Sequence, residues 1–146
     1  MATLTELLDP NQKQETNTVS GDAKLRIGII GTGGIAHAHM RSYLNCPDAE
    51  VVCGSDIVPG KAEAFFAEFG MANVRCYTSH KEMLAKEKLD AVSVCTYNRQ
   101  HAPCVIDAMN AGIDVLVEKP FTVTIEEAAE IIKTEKKTGR ILSIGF

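Results

Sequence analysis

The chain has 146 residues, 45% of them hydrophobic and 23% charged, with a formal net charge of −4. That length suits one domain and that composition a globular one. An acidic balance without a basic cluster argues against a nucleic-acid partner, and no apolar run approaches the ~20 residues that cross a bilayer.

Residues 1–23, MATLTELLDPNQKQETNTVSGDA, have neither a basic start nor an apolar stretch, so they read as a polar N-terminal arm rather than an export signal. At most Leu4 to Leu8 forms a helical turn there. From Lys24 onward, apolar runs alternate with segments of helical period. Leu25–Ile30 is the first strand, followed by Ile35, Ala36, Met40, Tyr43 and Leu44 at helical spacing. Val51–Gly54 is a second strand. Ala62, Phe65, Phe66 and Phe69 mark a helix that packs into the core and stops at Gly70.

A weaker strand spans Val74–Tyr77, and Ser79 to Glu82 reads as a capping box opening a short helix. Ala91–Cys95 is the fourth strand. His101, Val105, Ala108 and Met109 mark the next helix, and Ile113–Val117 the fifth strand. Thr124 to Glu127 is a second capping box, after which Ile125, Ala128, Ala129 and Ile132 predict one apolar helix face. Lys133 to Lys137 reads as a solvated face, and Ile141–Ile144 as a sixth strand. Near-continuous apolar strands alternating with helices predict a doubly wound, parallel α/β sheet over residues 24–146. The chain stops at a strand, on Ile144-Gly145-Phe146, so a longer protein is expected.

Cys46, Cys53, Cys76, Cys95 and Cys104 are odd in number and form no C-x-x-C pair. They read as reduced thiols of a cytoplasm, with no metal-ligating spacing. Of the histidines, His37 and His39 read as packing or surface residues, and His80 as an exposed helix-start residue.

Two features carry chemistry. The first is Gly31-Thr32-Gly33-Gly34-Ile35-Ala36, a G-x-G-x-x-G/A loop between a strand and a helix. Gly31 permits the turn, Gly33 lets a pyrophosphate approach, and Ala36 allows close helix–strand packing. The pattern wants an acid about 20 residues on, at the end of the second strand. Asp56 is there, and it would accept hydrogen bonds from adenosine ribose hydroxyls and repel the 2′-phosphate of NADP. Ile57 follows, so no neighbouring cation is expected. NAD is therefore expected over NADP, with Lys61 as the feature that keeps NADP open.

The second is Glu118-Lys119-Pro120, an abrupt polar end to the fifth strand. Strand ends converge on the ligand edge of such sheets, so the loop, Asp56, Asn98 and Lys119 should meet there. A strand-ending Glu-Lys is, taken alone, more often a solvated pair.

With this loop, His39, Asp56, Thr96 to His101 (TYNRQH) and Glu118-Lys119-Pro120, residues 24–146 resemble the glucose–fructose oxidoreductase, inositol dehydrogenase and rhizopine-catabolism family. The resemblance implies a Rossmann dinucleotide-binding domain, followed in the full protein by an α+β substrate domain that also pairs subunits into a homo-oligomer. It implies that Lys119 is catalytic, bonding a substrate hydroxyl and assisting its deprotonation. A positive nicotinamide nearby disfavours a second cation, which suits a lysine for acid–base work.

The loop residues, Asp56, Ile57, Thr96, Tyr97, Asn98, His101, Glu118, Lys119 and Pro120 are then the expected cofactor-binding set, although His101 could equally be a core or capping residue. Tyr97 stands where the family more often has proline, which should loosen the backbone. The implied activity is hydride transfer from a secondary alcohol of a sugar, cyclitol or glycoside to NAD. Two alternatives stay open: a glycosidase that retains NAD for transient oxidation, and a nucleotide-binding regulator without turnover.

Overall fold

A computed structural model describes residues 23–145; the expected arm and its helical turn at Leu4–Leu8 lie outside them. Six strands alternate with five helices: β1 (Leu25–Ile30), α1 (Gly34–Leu44), β2 (Ala49–Ser55), α2 (Lys61–Glu68), β3 (Arg75–Tyr77), α3 (His80–Lys86), β4 (Ala91–Val94), α4 (His101–Asn110), β5 (Asp114–Glu118), α5 (Ile125–Thr138) and β6 (Leu142–Gly145). A 3₁₀ turn, Asn98–Gln100, leads into α4.

All pairings are parallel, and the sheet order is β3-β2-β1-β4-β5-β6. The order reverses between β1 and β4, which opens a crevice at their carboxyl ends. Side-chain alternation along the strands builds a core on each face. Ile27, Ile29 and Val51 pack with Met40 of α1 and with Phe65 and Phe66 of α2. Val92, Val94, Val115 and Val117 pack on the other face with Val105 and Met109 of α4 and Ile131 of α5. The pairing of β1 with β2 shifts register between Ile27 and Gly28, where Val52 is the extra residue.

Three expectations need correction. The Thr124 box forms in both directions, but Ser79 only accepts from the Glu82 N–H, at 3.4 Å, while the Glu82 carboxylate turns to Lys86. The buried face of α5 carries Ile131 and Thr134, whereas Ile125 is 85% exposed. Thr134 can bury because its hydroxyl donates to Glu130 O one turn back, at 2.9 Å, leaving no polar group unpaired. His80 is no exposed helix start: its Nε2 lies 2.8 Å from Asp107 Oδ2 on α4.

Candidate functional site

β1 delivers its chain end to Gly31, whose N–H donates to Ser55 O at 2.8 Å across the sheet. Gly31 has φ +87°, and a Cβ there would sit 2.9 Å from the Cys95 carbonyl carbon and oxygen. Both facts demand glycine. At Gly33 and Gly34 an added Cβ would meet nothing within 4 Å, so the backbone is bare to a cavity. No side chain caps the start of α1, which leaves its first N–H groups for an anion. Ala36 is buried where α1 meets the sheet.

The cavity, about 330 Å³, runs from Gly31 to Ile35 across the end of β2 to the segment after β4. Ile35, Ile57 and Tyr97 are exposed apolar walls around it, suited to a flat ring. A pyrophosphate-bearing dinucleotide fits this combination of bare glycines, uncapped helix start and apolar walls.

Asp56 is nearly buried, and four donors converge on it. Thr32 N–H, Thr32 Oγ1 and Lys61 Nζ each lie 3.0 Å from Oδ2, and Val58 N–H lies 3.1 Å from Oδ1. Burial would raise its pKa, but these donors outweigh burial and hold it below the usual carboxylate range. No cation follows Asp56 directly in the chain, but Lys61, the residue expected to keep NADP open and the first of α2, comes round to the acid. Three of these donors crowd Oδ2, so Oδ1, which accepts only from Val58, keeps a lone pair open. A ribose hydroxyl can reach Asp56 at Oδ1, while a second one would displace a donor from Oδ2, where Lys61 is the most exposed, 41% at its side chain. Thr32 itself is buried and serves the acid, not the cavity.

After β4, Thr96 and Tyr97 line the cavity and Asn98 begins the exposed 3₁₀ turn. Tyr97 is 82% exposed and has φ −66°, the value a proline would impose. The backbone at Tyr97 thus follows the path that a proline would take. His101 is 0% exposed and lies behind the wall. Its Nδ1 is 2.8 Å from Pro120 O and its Nε2 3.1 Å from Thr96 O, so it ties the end of β4 to the end of β5. Both partners are acceptors, so a neutral ring donates to one of them at a time.

β5 carries the polar turn to the same edge. Glu118 is nearly buried, whereas Lys119 and Pro120 are exposed across a cis peptide bond. Glu118 Oε1 lies 2.9 Å from His39 Nε2, and Oε2 accepts from the Lys119 N–H at 3.2 Å. Burial pushes the Glu118 pKa up, but the His39 bond and the Lys119 N–H outweigh it and leave it lowered. His39 is thus more than packing. His37 does pack, edge-on to Phe65 with ring centroids 4.8 Å apart. Glu118, Lys119, Pro120 and Asn98 share the strand-end edge without lining the cavity.

Sequence reasoning missed Thr78, His80, Gln100 and Cys104, which line the cavity. Thr78 follows β3, a strand end like those of the expected residues, and that position was the available signal. A second cavity, about 290 Å³, lies at the opposite ends of the strands among Arg26, Glu87, Asp90 and Ile113. No glycine loop or strand-end lysine accompanies it.

Residues 25–146 match the model of the GFO_IDH_MocA oxidoreductase family, NAD-binding Rossmann fold. The D-glucoside 3-dehydrogenase of Escherichia coli is 37% identical over 84% of the chain and 34% of its own length. An inositol 2-dehydrogenase of Salmonella typhimurium is 32% identical over 84% of the chain and 37% of its own. The crystal structure of myo-inositol dehydrogenase from Lactobacillus casei, in complex with NAD(H) and myo-inositol, superposes with a TM-score of 0.78 at 29% identity, over 84% of this chain and 36% of that one. The chain thus spans about a third of the length of these relatives.

Proposed function

The chain belongs to the oxidoreductase family with the NAD-binding Rossmann fold, and from that premise we propose that it is the cofactor-binding part of an NAD-dependent dehydrogenase acting on a secondary alcohol of a sugar, cyclitol or glycoside. The observation that carries the reading is the placing of a bare phosphate loop and a strand-end lysine on one sheet edge.

Gly33 and the start of α1 would hold the pyrophosphate, Asp56 the adenosine ribose, and Ile35, Ile57 and Tyr97 the adenine ring. NAD supplies a two-electron acceptor when bound. Lys119 would take the hydroxyl proton as the carbinol C–H hydride leaves, giving a ketone, NADH and one proton. Glu118 and Asn98 would face the nicotinamide ribose, and His101 would act from behind as a brace. The substrate, the homo-oligomer formed through a following domain and a cytoplasmic setting for the five free thiols belong to the same reading. Among the described residues no helix is long and apolar enough to cross a membrane.

The test pairs an NADH titration with a turnover assay on myo-inositol and a D-glucoside. In the full-length protein, Lys119→Ala should lower NADH formation by about 10²-fold or more, in the range of a lost general base, with cofactor affinity nearly unchanged. An equal loss of affinity would make Lys119 a structural residue. Net accumulation of NADH separates this reading from transient oxidation by a glycosidase.

A further inference from the structure

Four polar side chains from three elements line up beneath the lysine turn. His39 and Tyr43 are four residues apart on α1 and share a helical face. Ser93 of β4 and Glu118 of β5 point to that face of the sheet, because Val92, Val94 and Val117 take the other. Tyr43 Oη lies 2.6 Å from Ser93 Oγ, and Ser93 Oγ lies 3.2 Å from His39 Nδ1. His39 Nε2 reaches Glu118 Oε1 at 2.9 Å, and Glu118 Oε2 takes the Lys119 N–H at 3.2 Å.

Donor counting gives this row a direction. An ionised carboxylate only accepts, so His39 Nε2 carries the hydrogen. In the neutral ring Nδ1 is then an acceptor, which Ser93 O–H satisfies, and Tyr43 O–H donates to Ser93. Donation runs Tyr43 → Ser93 → His39 → Glu118, and the Lys119 N–H donates to the same carboxylate from the other side, so no donor is idle. Burial raises the Tyr43 pKa, which keeps its O–H available.

Packing alone does not call for this arrangement. Buried strands of a parallel sheet are ordinarily Val, Ile and Leu on both faces, yet here a fully buried Ser93 and a nearly buried Glu118 share one face. Such a network is costly unless every member is satisfied, and it then fixes one geometry. That geometry ends at the residue before Lys119.

We propose that His39 is a positioning residue: held by Ser93 and Tyr43, it fixes the Glu118 carboxylate, which in turn sets the backbone that presents Lys119. His39 sits on the helix whose first turn faces the phosphate loop, so one rigid element serves both halves of the site. The catalytic meaning rests on Lys119 being the proton acceptor; the structural coupling does not.

The experiment measures hydrogen exchange of the Lys119 amide, with the Val117 amide as a control for wider opening, in the whole chain and in three variants. His39→Ala removes the donor. His39→Gln places an amide N–H where Nε2 stood, and His39→Asn stops short at the Nδ1 position. Exchange at Lys119 should speed up about tenfold or more in the Ala and Asn variants, as for a lost hydrogen bond to a charged group, and by no more than about threefold in the Gln variant. Val117 should not change. Tyr43→Phe should give a smaller increase of the same sign, and it serves if His39→Ala does not fold. Unchanged Lys119 exchange in His39→Ala, or a Gln variant as fast as the Ala one, would overturn the proposal. An NADH titration of the wild type runs alongside: no binding there sinks the dinucleotide reading and leaves the coupling result standing.

Discussion

The two corners of the site are held in different ways. At the phosphate-loop corner, Asp56 is held by donors from Thr32 and Val58, just past the ends of β1 and β2, and from Lys61 at the start of α2. At the lysine corner, Glu118 is fixed by His39, 79 residues away, and the Pro120 carbonyl by His101, 19 residues away. The first corner is built largely from backbone N–H groups and glycine conformations. The second is a turn braced by two histidines, one from α1 on one face of the sheet and one from α4 on the other. Backbone geometry is hard to replace, whereas a side-chain brace is open to conservative exchange. The corners should therefore fail differently when altered.

The largest effect is expected at the first corner. Gly31→Ala combines a left-handed φ with a Cβ 2.9 Å from the Cys95 backbone. The conformation alone costs about 1–3 kcal/mol, and the clash adds to it. Thermal unfolding should drop by roughly 5 °C or more, and NADH titration should show little binding. A Gly31→Ala chain of normal stability and affinity would break the contrast.

Asp56→Ser comes next. It removes the acceptor for three neighbours, yet Ser keeps a hydroxyl. NAD affinity should fall about tenfold, as for one lost charged hydrogen bond, while NADP affinity holds or rises. Lys61→Ala is smaller, since an ion pair with an exposed partner is worth under about 1 kcal/mol. It should free Asp56 for the ribose and widen the preference for NAD, read from paired NADH and NADPH titrations. A wild type that prefers NADP would contradict the role given to Asp56.

The last contrast shows only in acid. Asp56 and Glu118 both have lowered pKa values in the folded chain. Their contribution to stability is present above the unfolded carboxylate values, about pH 4, and is lost as pH falls through the lower folded values. Urea unfolding midpoints should decline over that window, and Glu118→Gln should flatten part of the decline. An unchanged pH slope in that variant would show that Glu118 is not held in its ionised form.

The glycine loop, the acid and the strand-end lysine were legible because each is a local pattern at a strand end, and strand ends of a doubly wound sheet converge. Asp56 was found and Lys61 was noted, but not their ion pair: Lys61 lies five residues on, and only the turn at Val58 to Gly60 brings it back. The His39–Glu118 contact left no mark on the sequence because its partners belong to distant elements. His80 was misread for the same reason, since Asp107 comes from another helix. The face of α5 was misplaced because counting apolar residues favours Ile125 and Ala129. It overlooks Thr134, whose hydroxyl is satisfied by its own helix and can therefore bury.

The central claim is that both corners form one cofactor site. Backbone amide shifts of the chain, followed while NAD is added, test it most directly. The account predicts saturable shifts at Gly31 to Ala36 and Asp56 together with Glu118 and Lys119, and none at Arg26 or Asp90 at the opposite end of the strands. Shifts confined to the Arg26–Asp90 cavity, or a lysine turn that stays silent while the loop saturates, would contradict it.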